Sequence, residues 1–221
     1  MATIGISSAD KIISVAVQEN EKLLAELSER EALTEDIILF IDKLIKQTKA
    51  NIDGIAVTIG PGSYSGLRGG VTCAKTLAQT LNIKLAGVST LHALSYNLRD
   101  VDGLIAAVQD GRHNDYNFAL FSSHNRKIER ITEDLVVQLD KIVEVFSKVK
   151  GKIYFTGNTE EIISNIINQN PYSKIQPANN NYASGFNVAI IGEKLIKEGK
   201  TSNPLTLAPI YSHKPNIREY Q

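Results

Sequence analysis

One order of segments runs twice along this chain, and it limits the fold more than any single residue does. In the first half, residues 3–8, 12–18 and 23–27 are short β-like runs, separated by a turn at Ala9 and Asp10 and by the polar stretch 19–22. From residue 32 to 49 the period lengthens to that of a helix. Leu33, Ile37, Ile41, Leu44, Ile45 and Thr48 share one face, and Thr34 or an earlier polar residue is the candidate cap. A buried strand at 52–59, a glycine-rich stretch at 60–70, a helix at 71–81 and a strand at 85–88 follow. The second half opens with a hairpin of 104–108 and 115–121 around 109–114, then extended chain at 128–137. A helix at 139–149, a strand at 152–156 and a helix at 160–168 come next. A last amphipathic helix at 182–198 and a strand at 205–211 complete it.

The order β-β-β-α-β-α is thus met twice, with a junction in the polar stretch 97–103 and halves at 1–100 and 101–221. An α/β protein with two such halves around a cleft resembles the duplicated RNase-H-like fold of the actin-like ATPases and sugar kinases, the ASKHA fold. A chain of 221 residues has room for one large domain or two small ones at about 150 residues per domain. With 43% apolar and 22% charged residues it is a globular sequence, which excludes a disordered or fibrous one. Twenty-four basic residues balance 24 acidic ones. A protein that grips nucleic acid unaided carries a basic excess, because phosphate contacts supply most of that affinity. Cys73 is the sole cysteine, so neither an internal disulfide nor a cysteine zinc site can form. The start of the chain lacks a signal-peptide pattern, and no apolar run approaches the roughly 18 residues of a membrane span. A soluble, cytoplasmic protein is expected.

The most informative stretch is Gly60, Pro61, Gly62, Ser63, Tyr64, Ser65, Gly66, Leu67, Arg68, Gly69 and Gly70, between a strand and a helix. Glycine permits positive φ and close backbone approach, and Pro61 suits a turn. A helix start offers free N–H groups to an anion, with Ser65 as candidate cap and Arg68 adding charge. It is no Walker A loop and lacks dinucleotide-binding spacing. Its chemistry leaves two uses open, a tight structural turn and a phosphate site, of which the turn is the commoner.

Residues 60–68 closely resemble the Gly-Pro-Gly-Ser-Phe-Thr-Gly-x-Arg signature of the TsaB (YeaZ) family. Residues 3–9, 87–91 (Gly-Val-Ser-Thr-Leu), 106–112 and the Pro209-Ile210-Tyr211 end also match that family's landmarks, over nearly the whole chain. The resemblance implies a noncatalytic partner in bacterial synthesis of threonylcarbamoyladenosine in tRNA. Its partners would be the catalytic homologue TsaD, the ATPase subunit TsaE and, when alone, a second copy of itself. It would meet tRNA only through the complex and need no cofactor. Ser7 stands where the family pattern has an aspartate. In actin-like ATPases that acidic position serves metal and phosphate, so its loss argues against ATP hydrolysis.

TsaD holds a metal with a His-x-x-x-His pair on a helix, and two imidazoles at that spacing share one face. The positions corresponding to it here are Thr90 and Leu94, so the pair is missing and no metal site is expected. His92 has no second histidine at ligand spacing, and a lone histidine is more often structural. His113 and His124 lie in loop-like contexts and His213 in the tail. Asp110, with Arg112 nearby, is a candidate cation ligand, but Asp110-Gly111 is more simply a hairpin turn. Cys73, inside a helix without a base partner, reads as a small buried residue.

A helical wheel over 67–81 gathers Leu67, Gly70, Val71, Ala74, Leu77, Ala78 and Leu81 on the core face. The opposite face carries Gly69, Thr72, Cys73, Thr76, Gln79 and Thr80, with Arg68 and Lys75 beside them. Short side chains let another helix come close. Leu39 falls on the polar side of the preceding helix and extends this surface. Leu39, Arg68, Gly69, Thr72, Cys73, Thr76, Gln79 and Thr80 are the candidate partner-binding residues. A scaffold subunit is the leading reading. An ATP-dependent small-molecule kinase is weakened by Ser7, and a metal-independent peptidase has no nucleophile with a base.

Overall fold

The computed structural model describes residues 1–112, 114–147, 153–158, 162 and 181–212. The first sheet contains β1 (Ala2–Ser7), β2 (Ile12–Glu19), β3 (Lys22–Arg30), β4 (Ile52–Gly60) and β5 (Lys84–Ser89). Their spatial order is β3-β2-β1-β4-β5. β1–β3 form an antiparallel meander, and β4 and β5 run parallel to β1. All six residues of β1 are buried. A central strand covered on both faces needs apolar or small residues at every position, which Ala-Thr-Ile-Gly-Ile-Ser supplies.

The outer face of this sheet is covered by α1 (Asp36–Thr48) and α2 (Tyr64–Leu81). Ile37, Ile41 and Leu44 of α1 and Val71, Ala74 and Ala78 of α2 pack on Ile4, Ile6, Val15, Ile55 and Val57. The alternate residues of β1 and β4 face inward. The second sheet contains β6 (Gly103–Arg112), β7 (Asp115–His124), β8 (Lys127–Arg130), β9 (Leu135–Gln138) and β10 (Ile153–Gly157). Its order is β10-β6-β7-β8, with β9 on the other end of β7. A meander with a parallel strand added beside its first strand is therefore common to both sheets. On its outer face, α4 (Leu139–Ser147) sets Ile142, Val143 and Phe146 against Val108, Phe118 and Phe155.

Between the sheets lie α3 (Thr90–Ser95), a single 3-10 turn at Tyr96–Leu98, and α5 (Gly185–Lys197). One core joins Ala56, Ala86 and Val88 of the first sheet to Ile105, Ala107 and Phe121 of the second through Leu91, Val188 and Ile191. α5 crosses the first sheet at backbone contact. A Cβ on Gly5 would lie 2.0 Å from the Gly185 carbonyl oxygen, and one on Gly192 would lie 2.1 Å from Ala56 Cβ. The Ser14 hydroxyl accepts from the Gly185 N–H at 2.7 Å. Gln18 Nε2 donates to Glu193 at 3.1 Å, and Lys197 completes that buried carboxylate at 2.8 Å. Asn187 Nδ2 donates to the Ala93 carbonyl and to Asn97 Oδ1, tying α5 to α3.

The architecture is the expected duplicated RNase-H-like, ASKHA fold, but several local expectations fail. α1 begins at Asp36, four residues late, and leaves Leu33 65% exposed. Thr34 is not its cap; Glu35 holds that place without a side-chain bond, and Asp36 instead accepts from the Leu33 N–H at 2.8 Å. α2 begins at Tyr64, ahead of the expected Ser65 cap and of the helix placed at 71–81, so residues 64–70 of the glycine-rich stretch are helical. Leu81 ends that helix 49% exposed, off the core face. Asp110-Gly111 makes no turn. The β6–β7 pairing shifts register there and runs on to Arg112 opposite Asp115. α5 starts at Gly185, capped by Ser184, not at 182. Residues 205–211 form no strand, because Pro204 and Pro209 remove N–H donors that a ladder needs. The helix expected at 160–168 lies outside the described residues except for Ile162, which is helical and buried.

Gly192→Val would force α5 off Ala56, and overpacking of this kind costs about 3 kcal/mol. Urea denaturation should show a loss of that size.

Candidate partner interface and glycine-rich loop

β4 delivers the chain into the loop at Gly60 with φ 130°, and Gly62 follows with φ 154°. The Gly60–Pro61 peptide is cis. Few residues other than glycine tolerate these φ values. The space beside each glycine is already filled by the chain itself. A Cβ on Gly60 would lie 2.1 Å from the Ile210 carbonyl oxygen, on Gly62 2.4 Å from that of Ala9, and on Gly66 2.1 Å from that of Ser8. The Ser8 hydroxyl, which donates to the Gly66 carbonyl at 2.9 Å, similarly leaves no room at Gly70. Of the two uses open to this motif, the geometry matches the tight structural turn: the glycines receive the β1–β2 connection and the chain's last described residues.

Ser63, and not Ser65, caps α2. Its hydroxyl accepts from the Gly66 N–H at 3.4 Å, its carbonyl from Leu67 at 2.9 Å, and its own N–H donates to the Ala9 carbonyl at 2.8 Å. Ser65 is exposed, its hydroxyl 3.5 Å from that of Ser63. Arg68 bends back on its own helix. It donates to the Tyr64 hydroxyl at 2.9 Å, with its guanidinium over the Tyr64 ring. Tyr64 in turn packs on Tyr211, with ring centroids 4.9 Å apart. Leu67 and Pro61 are buried beneath this surface.

Thr72, Thr76, Gln79 and Thr80 lie exposed along the outer side of α2 with Arg68. Gly69 and Cys73 are half-buried. Gly69 lets the Thr34 side chain approach, a Cβ there meeting it at 2.5 Å. Cys73 packs at the edge of the outer core, and burial pushes its thiol pKa up, away from a reactive thiolate. On α1, Leu39 is 63% exposed and its neighbour Ile38 46%. The structure thus brings the candidate interface residues together on one side of the first sheet, six of them at the surface and two at its base.

The remaining candidates are dispersed. Ser7, Thr90 and Leu94 are each buried at 2% exposure. Asp110 is exposed at the β6 register shift, its N–H donating to Asn158 Oδ1 at 3.1 Å. His124 pairs with Asp102 at the surface. His113 and His213 lie outside the described residues, and nothing is described of the Arg112 side chain. Among the described residues no group of three His, Cys, Asp or Glu side chains is placed to hold a metal.

His92 is packed between Tyr96 and Phe121. Burial, and then the positive charges of Arg130 and Lys194, lower its pKa from 6.5 to about 4. A second polar group beside it escaped the sequence reading. Arg130 donates to Asp134 at 2.6 Å and to the Ser89 hydroxyl at 3.1 Å, and Ser89 donates to Asp134 at 2.7 Å. Asn117 and the segment that carries Ser212 were also missed. The only sequence signal for the last was Pro209-Ile210-Tyr211.

Two measurements follow. Gly60→Ala adds both a clash with Ile210 and a disfavoured φ, and should cost on the order of 3 kcal/mol by urea denaturation. His92 is neutral when folded, whereas the unfolded chain takes up a proton below its ordinary pKa. Stability should therefore fall as pH drops from 6.5 towards 4, by about 3 kcal/mol. His92→Phe should flatten that part of the pH profile.

A family model described as TsaD, tRNA N6-adenosine threonylcarbamoyltransferase, matches residues 26–210. The Bacillus subtilis tRNA threonylcarbamoyladenosine biosynthesis protein TsaB is 35% identical over 117 residues, 53% of this chain and 51% of that protein. The chain thus spans about half the length of this relative in the match. YeaZ from Pseudomonas aeruginosa superposes with a TM-score of 0.79 at 15% identity, covering 95% of this chain and 99% of that one. The ROK hexokinase of Thermus thermophilus gives 0.54 at 10% identity, over 90% of this chain and all (100%) of that chain. At such identities these two structures establish the fold alone.

Proposed function

The chain belongs to the TsaD family, and from that premise, with the 35% identity to a TsaB protein over 117 residues, we propose that it is a noncatalytic scaffold subunit of the TsaB (YeaZ) kind. It binds and activates a catalytic TsaD homologue, in a complex that transfers threonylcarbamoyl to the adenosine next to the tRNA anticodon. An ATPase subunit of the TsaE kind completes the assembly, which works in the cytoplasm. The tRNA is held mainly by other subunits, in keeping with this chain's balance of 24 basic and 24 acidic residues. In the absence of TsaD, the same face pairs two copies of the chain. The halves 1–100 and 101–221 divide the work: the first presents the docking helices and the second supports them.

One observation carries this reading. α2 turns Thr72, Thr76, Gln79 and Thr80 outward, and α1 beside it leaves Leu39 63% exposed. Short uncharged side chains next to an exposed leucine allow a partner helix to approach closely and bury apolar surface. Solvated helix faces more often carry long charged groups. Ser7, Thr90 and Leu94, which the resemblance sets at positions of acidic or metal-binding groups in related enzymes, are buried here and support a role without chemistry of its own.

Light scattering coupled to size-exclusion chromatography tests the proposal, on the chain alone and mixed with TsaD from the same organism. A new peak at the mass of a heteromer is expected. Thr76→Arg, at an exposed position, should leave the melting temperature unchanged and weaken the heteromer at least tenfold, as a long charge inside a close helix contact costs more than about 1.4 kcal/mol. Unchanged association of this variant would remove α2 from the interface.

A further inference from the structure

β5 is the last strand on its side of the first sheet, and an outer strand carries backbone groups on which a further strand can pair. One residue meets them. Ser202 donates its N–H to the Leu85 carbonyl at 2.7 Å, and its hydroxyl accepts from the Gly87 N–H at 3.0 Å. A residue of an added parallel strand makes the same pair of bonds, giving its N–H to one residue of its neighbour and its carbonyl to the next but one. Ser202 therefore imitates one rung of a sixth strand, with its side-chain oxygen in place of its carbonyl.

The chain arrives at β5 from α5 and leaves at once. Gly199 takes φ 74°, its N–H donates to Ile196 at 3.1 Å, and that of Lys200 donates to Leu195 at 2.8 Å, which closes α5 with a left-handed turn just before Ser202. After Ser202, Pro204 has no N–H to give to a ladder, and Asn203 folds the next residues back. Its Oδ1 accepts from Leu205 at 2.8 Å, and its carbonyl accepts from Thr206 at 3.2 Å and Leu207 at 2.9 Å. A full strand here would cover β5 only by presenting an edge of its own, whereas a single rung followed by a turn presents none.

The turn is fastened to α2 and to the sheet. Lys75 donates to the carbonyls of Leu205 at 3.4 Å and Leu207 at 2.9 Å. Leu207 packs on the outer core, and a Cβ on Gly87 would lie 3.2 Å from its Cδ1, so it lies over the residue whose N–H Ser202 holds. Farther on, Ile210 donates to the Ile59 carbonyl at 2.6 Å, and the Ser212 hydroxyl reaches Asn117 Oδ1 on the second sheet.

We propose that Ser202 and the turn 203–207 form an edge cap that keeps β5 from pairing with an extended segment of a second copy, and that Lys75 holds this cap in place. The cap lies within one chain, so it stands whether or not α2 docks a partner.

Ser202→Ala removes the acceptor for Gly87, and Lys75→Met removes the two bonds that hold the turn. Both are made in the full chain carrying Thr76→Arg, so that pairing of copies through α2 is already weakened. In hydrogen exchange at low protein concentration, the Gly87 amide should exchange about tenfold faster in the Ser202→Ala chain, the effect of one lost hydrogen bond, with the amides of β1 unchanged. With both substitutions, light scattering should show larger species as concentration rises, and Gly87 should regain protection in them, because a second copy now supplies its acceptor. Unchanged exchange at Gly87 would overturn the cap. A chain with both substitutions that keeps the size of its Thr76→Arg parent at high concentration would overturn its role against pairing. Assembly accompanied by equal loss of protection in β1 would also overturn it, because the substitutions would then have loosened the whole sheet.

Discussion

The arrangement depends on two backbones brought almost into contact where α5 crosses the inner face of the first sheet. Gly5 and Gly185 remove the side chains that would keep strand and helix apart, and Gly192 does the same over Ala56. The approach makes the Ser14–Gly185 hydrogen bond possible and buries the Gln18–Glu193 pair, which the exposed Lys197 reaches from the surface. A buried carboxylate left without such partners would be strongly destabilising, so these groups also set where the helix stops along the sheet. Since α5 comes from the second half of the chain, its seating on the first sheet joins the two halves through one core.

With α5 occupying the inner face, the outer face is left to α1 and α2, and their own outer sides to solvent or a partner. The glycine-rich segment follows from the same geometry. It has to pass beneath Ile210 and over Ser8 and Ala9 before α2 can begin, and its glycines stand where those backbones come closest. A motif that looks like an anion cradle in sequence is thus filled by the chain's own carbonyl oxygens. Those oxygens repel phosphate, which makes the motif better suited to positioning α2 than to holding an anion.

Much of this was legible beforehand. Short apolar runs and the change from a two-residue to a 3.6-residue period located β1–β5, α1, β6, β7, α4 and β10 to within a few residues, because each is either apolar throughout or has one apolar face, with neighbours of ordinary turn chemistry. The start of α2 was legible only to within a few residues, with Ser65 expected as the cap that Ser63 provides. Gly66, Gly69 and Gly70 lower intrinsic helix propensity, and only contacts with Ser8 and Thr34 repay that cost. Asp110-Gly111 carried a strong local turn signal that the β6–β7 ladder overrode by continuing to Arg112. Of the candidate interface, the exposed threonines followed from the helical wheel. The half-burial of Gly69 did not, since it reflects the approach of Thr34 from the chain ahead of α1.

Sequence alone determined the repeated element order, the apolar faces of the helices and the lack of any two histidines at His-x-x-x-His spacing, since these are properties of residue type and spacing. Tertiary structure decided the rest: that the glycines admit other backbones, that His92 is held neutral between two aromatic rings, and that residues 202–212 reach from Lys75 to Asn117. Each of these joins residues far apart in the chain. Spacing along a sequence specifies a local period, whereas the approach of distant segments is set by how whole sheets and helices pack.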